Sequence, residues 1–506
     1  MSFIVEPSKK VPVVYDVDVA VVGAGAAGIF AALAAAKHEA KTVLIDRFGY
    51  LGGNIGPGII VGGGLIDEAE KTFLPPLMKP RYISADEKPR GLPSILEEFD
   101  ERIRQLRGNA QPNYLNDSNL ASYVALKMAE ESGVKLMLST FAADPIIEGS
   151  CVCGVFVETI GGRRAVRARV VIDATGNALI AARAGAPMIR YIQPDPNWHP
   201  IIRGDRLRKD YPLWDEVGVW CVFAGVDGRK YNKFREEPRK LSEEDIRWMK
   251  DNIKGKGYPA DLIPVLRKVW MDGEYKVEHH INRIRIGPPA WKFLPMKFPA
   301  NFDGLLGIRI LAYGEIDSTD GIQMSTLEAE IRKYIFDTTQ FFRKYIPGFE
   351  NAYLLLISPY LGARGGPCVE GDYTLTIEDL RKCQRYNDVM HVYYLETQGC
   401  DIPYRILLPK NVDGLLVTGR GASYIRRGHD PLVRARVHLY ALGYETGIAA
   451  ALAVRNNVTP RNINIRELQK ILLKEGFYLG DKTRIKELGL VQKTTIENLD
   501  RISNPS

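Results

Sequence analysis

Residues 16–46 read DVDVAVVGAGAAGIFAALAAAKHEAKTVLID, and this stretch decides the first part of the fold. DVDVAVV is short and β-branched, which is typical of a buried strand. A GxGxxG motif follows at Gly23, Gly25 and Gly28, before a helical run and a second strand that ends at Asp46. The first glycine permits a tight turn, the second lets the backbone approach a pyrophosphate, and the third lets the helix pack on the strand. The sequence therefore predicts a Rossmann-like unit that binds a dinucleotide.

The residues around these glycines strengthen the prediction. Asp46 lies about 20 positions after the first glycine, where an acid accepts hydrogen bonds from ribose hydroxyls. The helical run IFAALAAAKHEA follows Gly28, and the N–H groups and positive dipole end of its N-terminus suit phosphates. Ala26 and Ala27 are therefore candidate cofactor contacts. A GxGxxG motif without flanking strands and acid is a much weaker signal.

The next stretch, residues 47–64, is RFGYLGGNIGPGIIVGGG and contains eight glycines. So many glycines do not form a stable helix or strand. A flexible surface loop is one interpretation, but Tyr50, Leu51 and Ile55 are more apolar than a solvated linker requires. We favour a loop that runs along an extended FAD, bound without a covalent tether because the loop has no His or Cys. Its candidate cofactor contacts are Arg47, Gly52, Gly53 and Asn54.

This region resembles the glutathione-reductase-like flavoprotein superfamily. It most resembles the group called FAD-dependent oxidoreductases (the FAD_oxidored family), distant relatives of fumarate reductase flavoproteins. The resemblance extends from about residue 16 to about residue 480. Further segments that carry it are RVVIDATG (169–176), YLGARGG (360–366), GDYTLTIEDL (371–380), IPYRILLP (402–409), NVDGLLVTGR (411–420) and ALGYETGIAAALA (441–453).

The resemblance implies further cofactor contacts. The second nucleotide motif places Ala174, Thr175 and Gly176 beneath the adenosine half of FAD. The closing strand that returns to the flavin brings Gly419 and Arg420, and the final helix brings Gly443. The acidic pair usual after ATG is replaced here by Asn177 and Ala178, which loosens an expected contact with the adenosine or the pyrophosphate.

The same segments predict the layout of the chain. The fold class is α/β, a Rossmann-like, glutathione-reductase-like FAD-binding domain with an inserted mixed α+β substrate domain. The expected parts are a discontinuous FAD-binding domain (1–65, 116–188 and 405–460), a lid or subunit-contact insertion (66–115), a substrate or cap domain (189–404) and a C-terminal helical extension (461–506). Within the insertion, residues 325–345 are predicted to form a helix, with Ser325 and Glu328 as its capping box.

Catalytic candidates concentrate in GASYIRRGHDPLVRAR, residues 421–436. His429 is the first candidate for a general acid or base, because an imidazole titrates near neutral pH. A capping or structural histidine is the alternative. Asp430 and Pro431 are typical of a helix start, and a helix N-terminus stabilises negative charge on a reduced flavin.

Arginines are the candidate substrate anchors, since a guanidinium holds a carboxylate or an enolate in a bidentate fork. Arg434 matches the arginine that the family places before the final helix, and Arg405 and Arg364 lie in family segments. For each arginine, a surface or ion-pair role is the alternative. Tyr404 and Tyr373 are candidate proton relays, with aromatic packing as the alternative. Arg426 and Arg427 complete the set of anchors.

Composition excludes several classes of protein. Apolar residues make up 45% and charged residues 25% of the chain, near the globular average, which rules out a disordered or fibrous protein. The length of 506 residues fits two or three domains. A net charge of +7 is small for this length, and basic stretches such as 203–210 are short and mixed, so we expect no nucleic-acid binding.

Cysteine spacing and the length of the apolar runs indicate which cellular compartment and which kinds of site we expect. The six cysteines form no CxxC pair and no zinc or iron–sulfur pattern, so we expect no metal site and a reducing compartment. The N-terminus lacks the apolar core of a signal peptide. The run from Ala26 to Ala36 is well short of the ~20 residues of a membrane span. We expect a cytoplasmic protein without a membrane span, and a homo-oligomer.

Absent motifs narrow the type of flavoprotein. No cysteine pair follows Gly52 and Gly53, which argues against a disulfide reductase. No second dinucleotide fingerprint is present, which argues against a built-in NAD(P)H domain. The closing strand ends in TGR and not in the GD-acid pattern of aromatic hydroxylases.

Three functions remain open from the sequence. The first is an FAD-dependent dehydrogenase or reductase that transfers hydride between flavin N5 and a small oxygenated or carboxylated substrate, anionic if the arginines bind it. The second is an electron-transfer or scaffolding flavoprotein within a larger assembly. The third is a nucleotide-binding protein without redox chemistry. The sequence names neither the substrate nor the electron partner.

Overall fold

The computed structural model describes two compact units. The first is Met1–Pro57, Val61–Arg203 and Pro367–Ser506, and the second is Gly58–Ile60 and Gly204–Gly366. The described residues are 3–58, 93–110, 114–189, 214–237, 240–253, 260–288, 294–295, 297–363, 365–376, 378–379, 382–395, 398–424 and 436–490.

The described residues form the following strands and helices, numbered in chain order. The strands are β1 (Val13–Val22), β2 (Thr42–Ile45), β3 (Lys135–Met137), β4 (Phe141–Glu148), β5 (Cys151–Thr159), β6 (Gly162–Asp173), β7 (Met188–Ile189), β8 (Trp214–Ala224), β9 (His279–Ile281), β10 (Ile284–Gly287), β11 (Leu306–Glu315), β12 (Tyr353–Ile357), β13 (Gly362–Ala363), β14 (Cys368–Val369), β15 (Val389–Leu395), β16 (Gln398–Pro403) and β17 (Leu415–Val417). The α-helices are α1 (Ala26–Lys37), α2 (Ser94–Arg107), α3 (Tyr114–Glu131), α4 (Leu179–Arg183), α5 (Gly228–Glu236), α6 (Glu243–Asn252), α7 (Ile263–Met271), α8 (Gly321–Tyr345), α9 (Arg436–Arg455), α10 (Ile465–Lys474) and α11 (Lys482–Glu487).

The main sheet of the first unit has the order β3-β2-β1-β6-β5-β4. β1 is parallel to β2 and β6, with Val19 opposite both Thr42 and Val170. β6 pairs with antiparallel β5 at its start and with parallel β17 at its end. Parallel strands joined by α1 are the predicted Rossmann arrangement, and β5 and β6 form a hairpin in which Thr159 pairs with Gly162. The mixed α/β class is therefore confirmed.

Helices α1 and α9 cross at very short distance in this unit. A Cβ atom on Gly443 would overlap the carbonyl oxygen of Ala27, and one on Gly447 would overlap that of Ala31. Both contacts advance by four residues, so the helices run in the same direction. Within the described residues, α9 alone has the length and apolarity of a membrane span, but 89% of that window is buried inside the protein. It is a core helix of this unit.

The hairpin of β15 and β16 belongs to the same unit. Val389, Met390 and Ile402 lie in the apolar core that also contains α1 and α9. The predicted insertion runs to residue 404, whereas residues 367–404 group with the first unit because this hairpin is buried against its helices. Hydrophobic alternation in the sequence does not say which core a strand joins.

The second unit is an antiparallel sheet, β12-β8-β11-β10-β9, with β13 also paired to β8. Its core contains the inward residues of α8, among them Leu327 and Ile331. The predicted helix there is confirmed, but its capping box is wrong. The helix begins at Gly321, and the Asp320 carboxylate accepts hydrogen bonds from the N–H groups of residues 322 and 323. Asp320 caps the helix about one turn before Ser325, so Ser325 lies inside the helix.

Candidate functional site

The glycine-rich turn between β1 and α1 is closed on one side by backbone. Gly23 has φ +101°, and a Cβ there would lie 2.6 Å from the carbonyl oxygen of Ala174. A Cβ on Gly28 would overlap the carbonyl oxygen of Gly23. These two glycines are required by the turn and by the close packing of the helix on the strands, as the motif predicts.

Gly25 is different, because a Cβ at this position meets no atom of the described residues within 4 Å. It is the N-cap of α1 and has an extended conformation. Among the described residues, space therefore remains beside the helix N-terminus, where the first N–H groups of a helix have no partner within the helix. This is the cradle in which a pyrophosphate group fits, because phosphate oxygens accept from such N–H groups and favour the positive dipole end.

Asp46 connects this turn to the following loop. Its two oxygens accept hydrogen bonds from the backbone N–H of Ala24, at 2.5 Å, and of Phe48, at 2.8 Å. Burial raises the pKa of this carboxyl above its ordinary value, and the two N–H groups act in the opposite direction. The sequence predicts a ribose contact for Asp46, and the structure adds a role in holding the turn and the loop together.

The described part of the loop folds back on the glycine turn. The N–H of Gly52 donates to the carbonyl of Ala24 at 2.8 Å, with Gly52 at φ +110°. Leu51 and Ile55 are buried, which explains the apolar residues among the glycines. Gly53 and Asn54 lie in one 3-10 turn, and the guanidinium of Arg47 lies over the ring of Phe48. Residues 59–64 of the predicted loop lie outside the described residues.

The second nucleotide motif and the closing strand come together at the same edge of the sheet. The N–H of Ala174 donates to the carbonyl of Val22 at 2.8 Å. Gly176 has φ +81°, and Arg420 crosses it so closely that a Cβ would lie 2.8 Å from its Nη2. The same Nη2 donates to Oδ1 of Asn177 at 3.3 Å. Asn177 therefore has a defined partner where the family usually has an acid.

Asp173, just before this motif, is a structural carboxylate that the sequence did not single out. It is fully buried and accepts from the N–H and hydroxyl of Thr175 and from the N–H groups of Ile180 and Ala181. Burial raises the pKa of this carboxyl, against those hydrogen bonds. Asp173 fixes the backbone conformation of Ala174, Thr175 and Gly176.

The closing strand delivers Gly419 to the start of α1. Gly419 has φ +66°, and a Cβ there would lie 3.1 Å from the Cβ of Ala27. Gly443 reaches the backbone of the same residue from α9, where it serves the helix contact described above. Its predicted contact with the cofactor stays a prediction, because packing by itself explains the glycine.

Two of the predicted catalytic residues are described, and both are engaged within the first unit. The Tyr404 hydroxyl donates to the Pro460 carbonyl at 2.8 Å in a fully buried position, and burial raises its pKa. Arg405 forms a bidentate ion pair with Asp388 at 2.9 and 3.1 Å. Its guanidinium also lies over the rings of Tyr373 and Tyr386. The predicted catalytic roles of Tyr404 and Arg405 stay predictions.

The other predicted catalytic residues cannot be placed. Four of them lie in the stretch 425–435, which is outside the described residues: His429, Arg434, Arg426 and Arg427. Arg364 is also outside the described residues. Their roles stay predictions.

A cluster of buried titratable groups was missed by the sequence analysis. His391 Nδ1 lies 2.7 and 2.9 Å from the two oxygens of Glu445, and its Nε2 lies 3.0 Å from Nδ1 of His438. His438 and Glu445 are seven residues apart and share one face of α9. That spacing was the available signal, but His391 comes from a distant strand, which no local pattern indicates.

The turn, the acid, the second nucleotide motif and the closing strand define a dinucleotide-binding flavoprotein of the oxidoreductase class. Residues 18–472 match the protein-family model described as FAD dependent oxidoreductase, and the chain belongs to that family. It is an enzyme, and its cofactor is FAD, which the open cradle at Gly25 fits.

Curated relatives match mainly the first part of the chain. A digeranylgeranylglycerophospholipid reductase of Methanoculleus marisnigri is 31% identical over 175 residues, which is 33% of this chain and 41% of the relative. A thiamine thiazole synthase of Aeropyrum pernix is 28% identical over 222 residues, 41% of this chain and 72% of the relative. The match thus spans about two fifths of the length of the reductase.

Among solved structures, a geranylgeranyl bacteriochlorophyll reductase-like protein of Thermoplasma acidophilum is similar with a TM-score of 0.38 and 15% identity. The similarity covers 97% of this chain and 92% of that one.

Proposed function

We propose that this enzyme transfers a hydride between N5 of its FAD and an organic substrate that the second unit binds. Hydride transfer is the chemistry that the flavin supplies, while the protein provides binding, orientation and electrostatics. The observation that carries the proposal is the open phosphate cradle at Gly25, because it fits the pyrophosphate of the FAD that the family match indicates. The substrate assignment is supported by the second unit, which has a polar sheet face of its own.

This polar face comprises Trp220, Arg285, Arg309, Tyr313 and Glu216. Strand register places them together, since Arg309 is opposite Trp220 and Tyr313 is opposite both Glu216 and Arg285. Directly paired residues point to the same side of a sheet. The alternate residues, such as Val219 and Ile310, face the apolar core instead.

Charge on the polar face is arranged around two buried arginines. Arg285 pairs with Glu278 at 2.5 Å and lies over the ring of Tyr313 at 4.9 Å. Arg309 lies 3.8 Å from Glu216. A guanidinium recognises carboxylates and other oxygenated groups, which supports a small substrate of that class.

A second candidate is the reduction of an isoprenoid double bond. It is favoured by the identity with digeranylgeranylglycerophospholipid reductases, although that identity covers 33% of this chain. An isoprenoid substrate requires an apolar binding surface, whereas Arg285, Arg309 and Glu216 put charged groups on this face beside the apolar Leu311. We therefore rank the oxygenated or carboxylated substrate first.

An anaerobic substrate screen tests the proposal. Full-length holoenzyme is reduced with dithionite, mixed with small oxo acids and enoates or with isoprenoid lipids, and followed by return of the visible flavin absorbance. Oxidised enzyme is mixed in parallel with hydroxy acids, and bleaching is measured. A response to the first group supports our assignment, and a response to isoprenoids alone replaces it with the second candidate. Exchange of electrons with a partner protein alone contradicts both and supports an electron-transfer subunit.

A further inference from the structure

Two cysteines that are distant in the chain, Cys383 and Cys400, have adjacent side chains in the first unit. Cys400 is buried in the apolar core that also contains α1 and α9, and the half-buried Cys383 packs against this core. A hydrogen bond joins the two thiols. We call these two side chains the thiol pair. Neither the FAD cradle nor the polar face of the second unit includes them.

Contacts beside the thiol pair hold the two chain segments together. Asp401, which follows Cys400 on β16, accepts hydrogen bonds from Nη1 of Arg385 at 2.7 Å and from the N–H of Tyr386 at 2.9 Å. Asp401 is fully buried, so loss of these bonds would leave a buried carboxylate with fewer partners, which is costly. The approach of Cys383 to Cys400 is therefore fixed by neighbouring residues of both segments and does not depend on the thiols alone.

The backbone at Cys383 has an unusual conformation. Its φ is +50°, in the left-handed region that residues with a Cβ seldom adopt. The N–H of Lys382 donates to the carbonyl of Glu378 at 2.9 Å, and the N–H of Gln384 donates to the carbonyl of Asp379 at 3.0 Å. Hydrogen bonds on both sides of Cys383 thus hold it in this conformation.

The two sulfurs of the thiol pair differ in exposure and therefore in reactivity. Burial raises the pKa of the Cys400 thiol, so Cys400 keeps its proton near neutral pH. Cys383 is the more exposed of the two and is the sulfur that a dissolved oxidant reaches first. The sulfur of Cys400 is then already in contact with the oxidised one, and this proximity replaces an encounter between two molecules.

We propose that the thiol pair is an oxidation site, at which a peroxide converts Cys383 and Cys400 into a disulfide. Hydrogen peroxide oxidises the Cys383 sulfur to a sulfenic acid and releases one water. The Cys400 sulfur then attacks the Cys383 sulfur. The S–S bond forms, the S–O bond breaks, and the hydroxyl leaves as water with the thiol proton of Cys400. In total the two thiols lose two electrons, and one hydrogen peroxide molecule is reduced to two waters. Exchange with a small dithiol reverses the reaction.

Peptide mapping of the full-length wild-type holoenzyme tests the proposal without any variant. The protein is treated with hydrogen peroxide, denatured, blocked with N-ethylmaleimide and digested with trypsin. Cleavage after Lys and Arg places Cys383 in the peptide 383–385 and Cys400 in the peptide 386–405. We expect mass spectrometry to find these two peptides as one disulfide-linked species that dithiothreitol separates. Recovery of both peptides as N-ethylmaleimide adducts, or of an over-oxidised Cys383 with an unlinked Cys400, would overturn the proposal.

Thermal unfolding gives a second, independent readout. A disulfide between residues 383 and 400 restricts the unfolded chain, so peroxide should raise the unfolding midpoint of wild type by about 2 °C or more, and dithiothreitol should reverse the shift. Cys383→Ser should not show this reversible rise. Cys153→Ser is the matched control, because Cys153 is also half-buried and its Sγ donates to the carbonyl of Ile146 at 3.4 Å, so it should respond as wild type does. The same reversible rise in Cys383→Ser would contradict the assignment to the thiol pair.

Discussion

At the scale of single residues, three glycines of one motif have different tasks. Gly23 and Gly28 are required by neighbouring backbone atoms, whereas Gly25 is adjacent to open space. Neighbouring protein atoms require a glycine at positions 23 and 28, whereas a bound pyrophosphate would require one at position 25. The motif can therefore be divided experimentally into a folding part and a binding part.

Substitution of Gly25 and Gly28 should separate these parts. Gly25→Val should leave the stability of the apoprotein unchanged, because its φ of −78° suits any residue, and should weaken FAD binding by about tenfold or more, or about 1.4 kcal/mol. Gly28→Ala should lower the free energy of unfolding by about 1–3 kcal/mol through overlap with Gly23. Thermal unfolding of apoprotein and FAD titration measure the two effects. Wild-type FAD affinity in Gly25→Val would contradict the pyrophosphate assignment.

At the scale of elements, α1 is held at both ends by α9 and α10. Its early turns pack on the glycines of α9, and its C-terminal Lys37 pairs with Glu475, which follows α10, at 2.5 Å. Glu475 also lies 3.5 Å from His38 and 3.3 Å from the Tyr444 hydroxyl of α9. One carboxylate thus connects the cofactor-binding helix α1 with α9 and α10.

The stabilisation by Glu475 should depend on pH. Hydrogen bonds from His38 and Lys37 hold its pKa at about 2, below the ordinary 4.5, against the effect of burial. A lowered carboxyl pKa stabilises the fold above about pH 4.5, and this contribution is lost as the pH falls towards 2. Glu475→Gln should therefore be less stable than wild type near neutral pH, with the difference vanishing near pH 2. Urea unfolding at several pH values measures it.

Glu467→Gln is the control for this experiment. Glu467 lies on α10 and forms a more exposed ion pair with Arg455 at the end of α9. Exposed ion pairs contribute about 0–1 kcal/mol to the free energy of unfolding. Its loss should change the unfolding free energy little at any pH. If the two variants lowered the free energy of unfolding equally, the contacts of Glu475 would stabilise the fold no more than an exposed ion pair does.

At the scale of the whole molecule, the two units divide the proposed work. The first holds the FAD cradle, and the second holds the polar face. Substitutions in the two units should therefore change different measured quantities.

Arg309→Met should raise KM for the proposed substrate by about tenfold, which corresponds to about 1.4 kcal/mol, while FAD content stays at wild type. The reason is the loss of a buried guanidinium from the polar face. Arg283→Met is the matched control, because Arg283 is 77% exposed and pairs with Glu315 at 2.6 Å. Its KM should not change. Steady-state kinetics with the substrate found in the screen measures both, and equal KM values in all three proteins would remove the polar face from substrate binding.

Much of the cofactor site was accessible from the sequence because its signals are local. The GxGxxG turn and the Asp46 that follows it depend on residues close together in the chain, and their φ values and hydrogen bonds follow from residue type. The helix that begins at Gly321 was predicted with the wrong cap. Two polar residues near one helix start compete, and the sequence does not rank Asp320 against Ser325.

The sequence by itself determined the class of this protein, since the βαβ fingerprint and the scattered family segments identify an FAD-dependent oxidoreductase. Only the tertiary structure decided that Arg405 is paired with Asp388, that Gly443 packs on α1, and that His391 joins His438 and Glu445. Each of these contacts joins residues from different elements, and its energy depends on burial and on the direction of side chains. Those properties arise only when the chain has folded, so no spacing within the sequence could have indicated them.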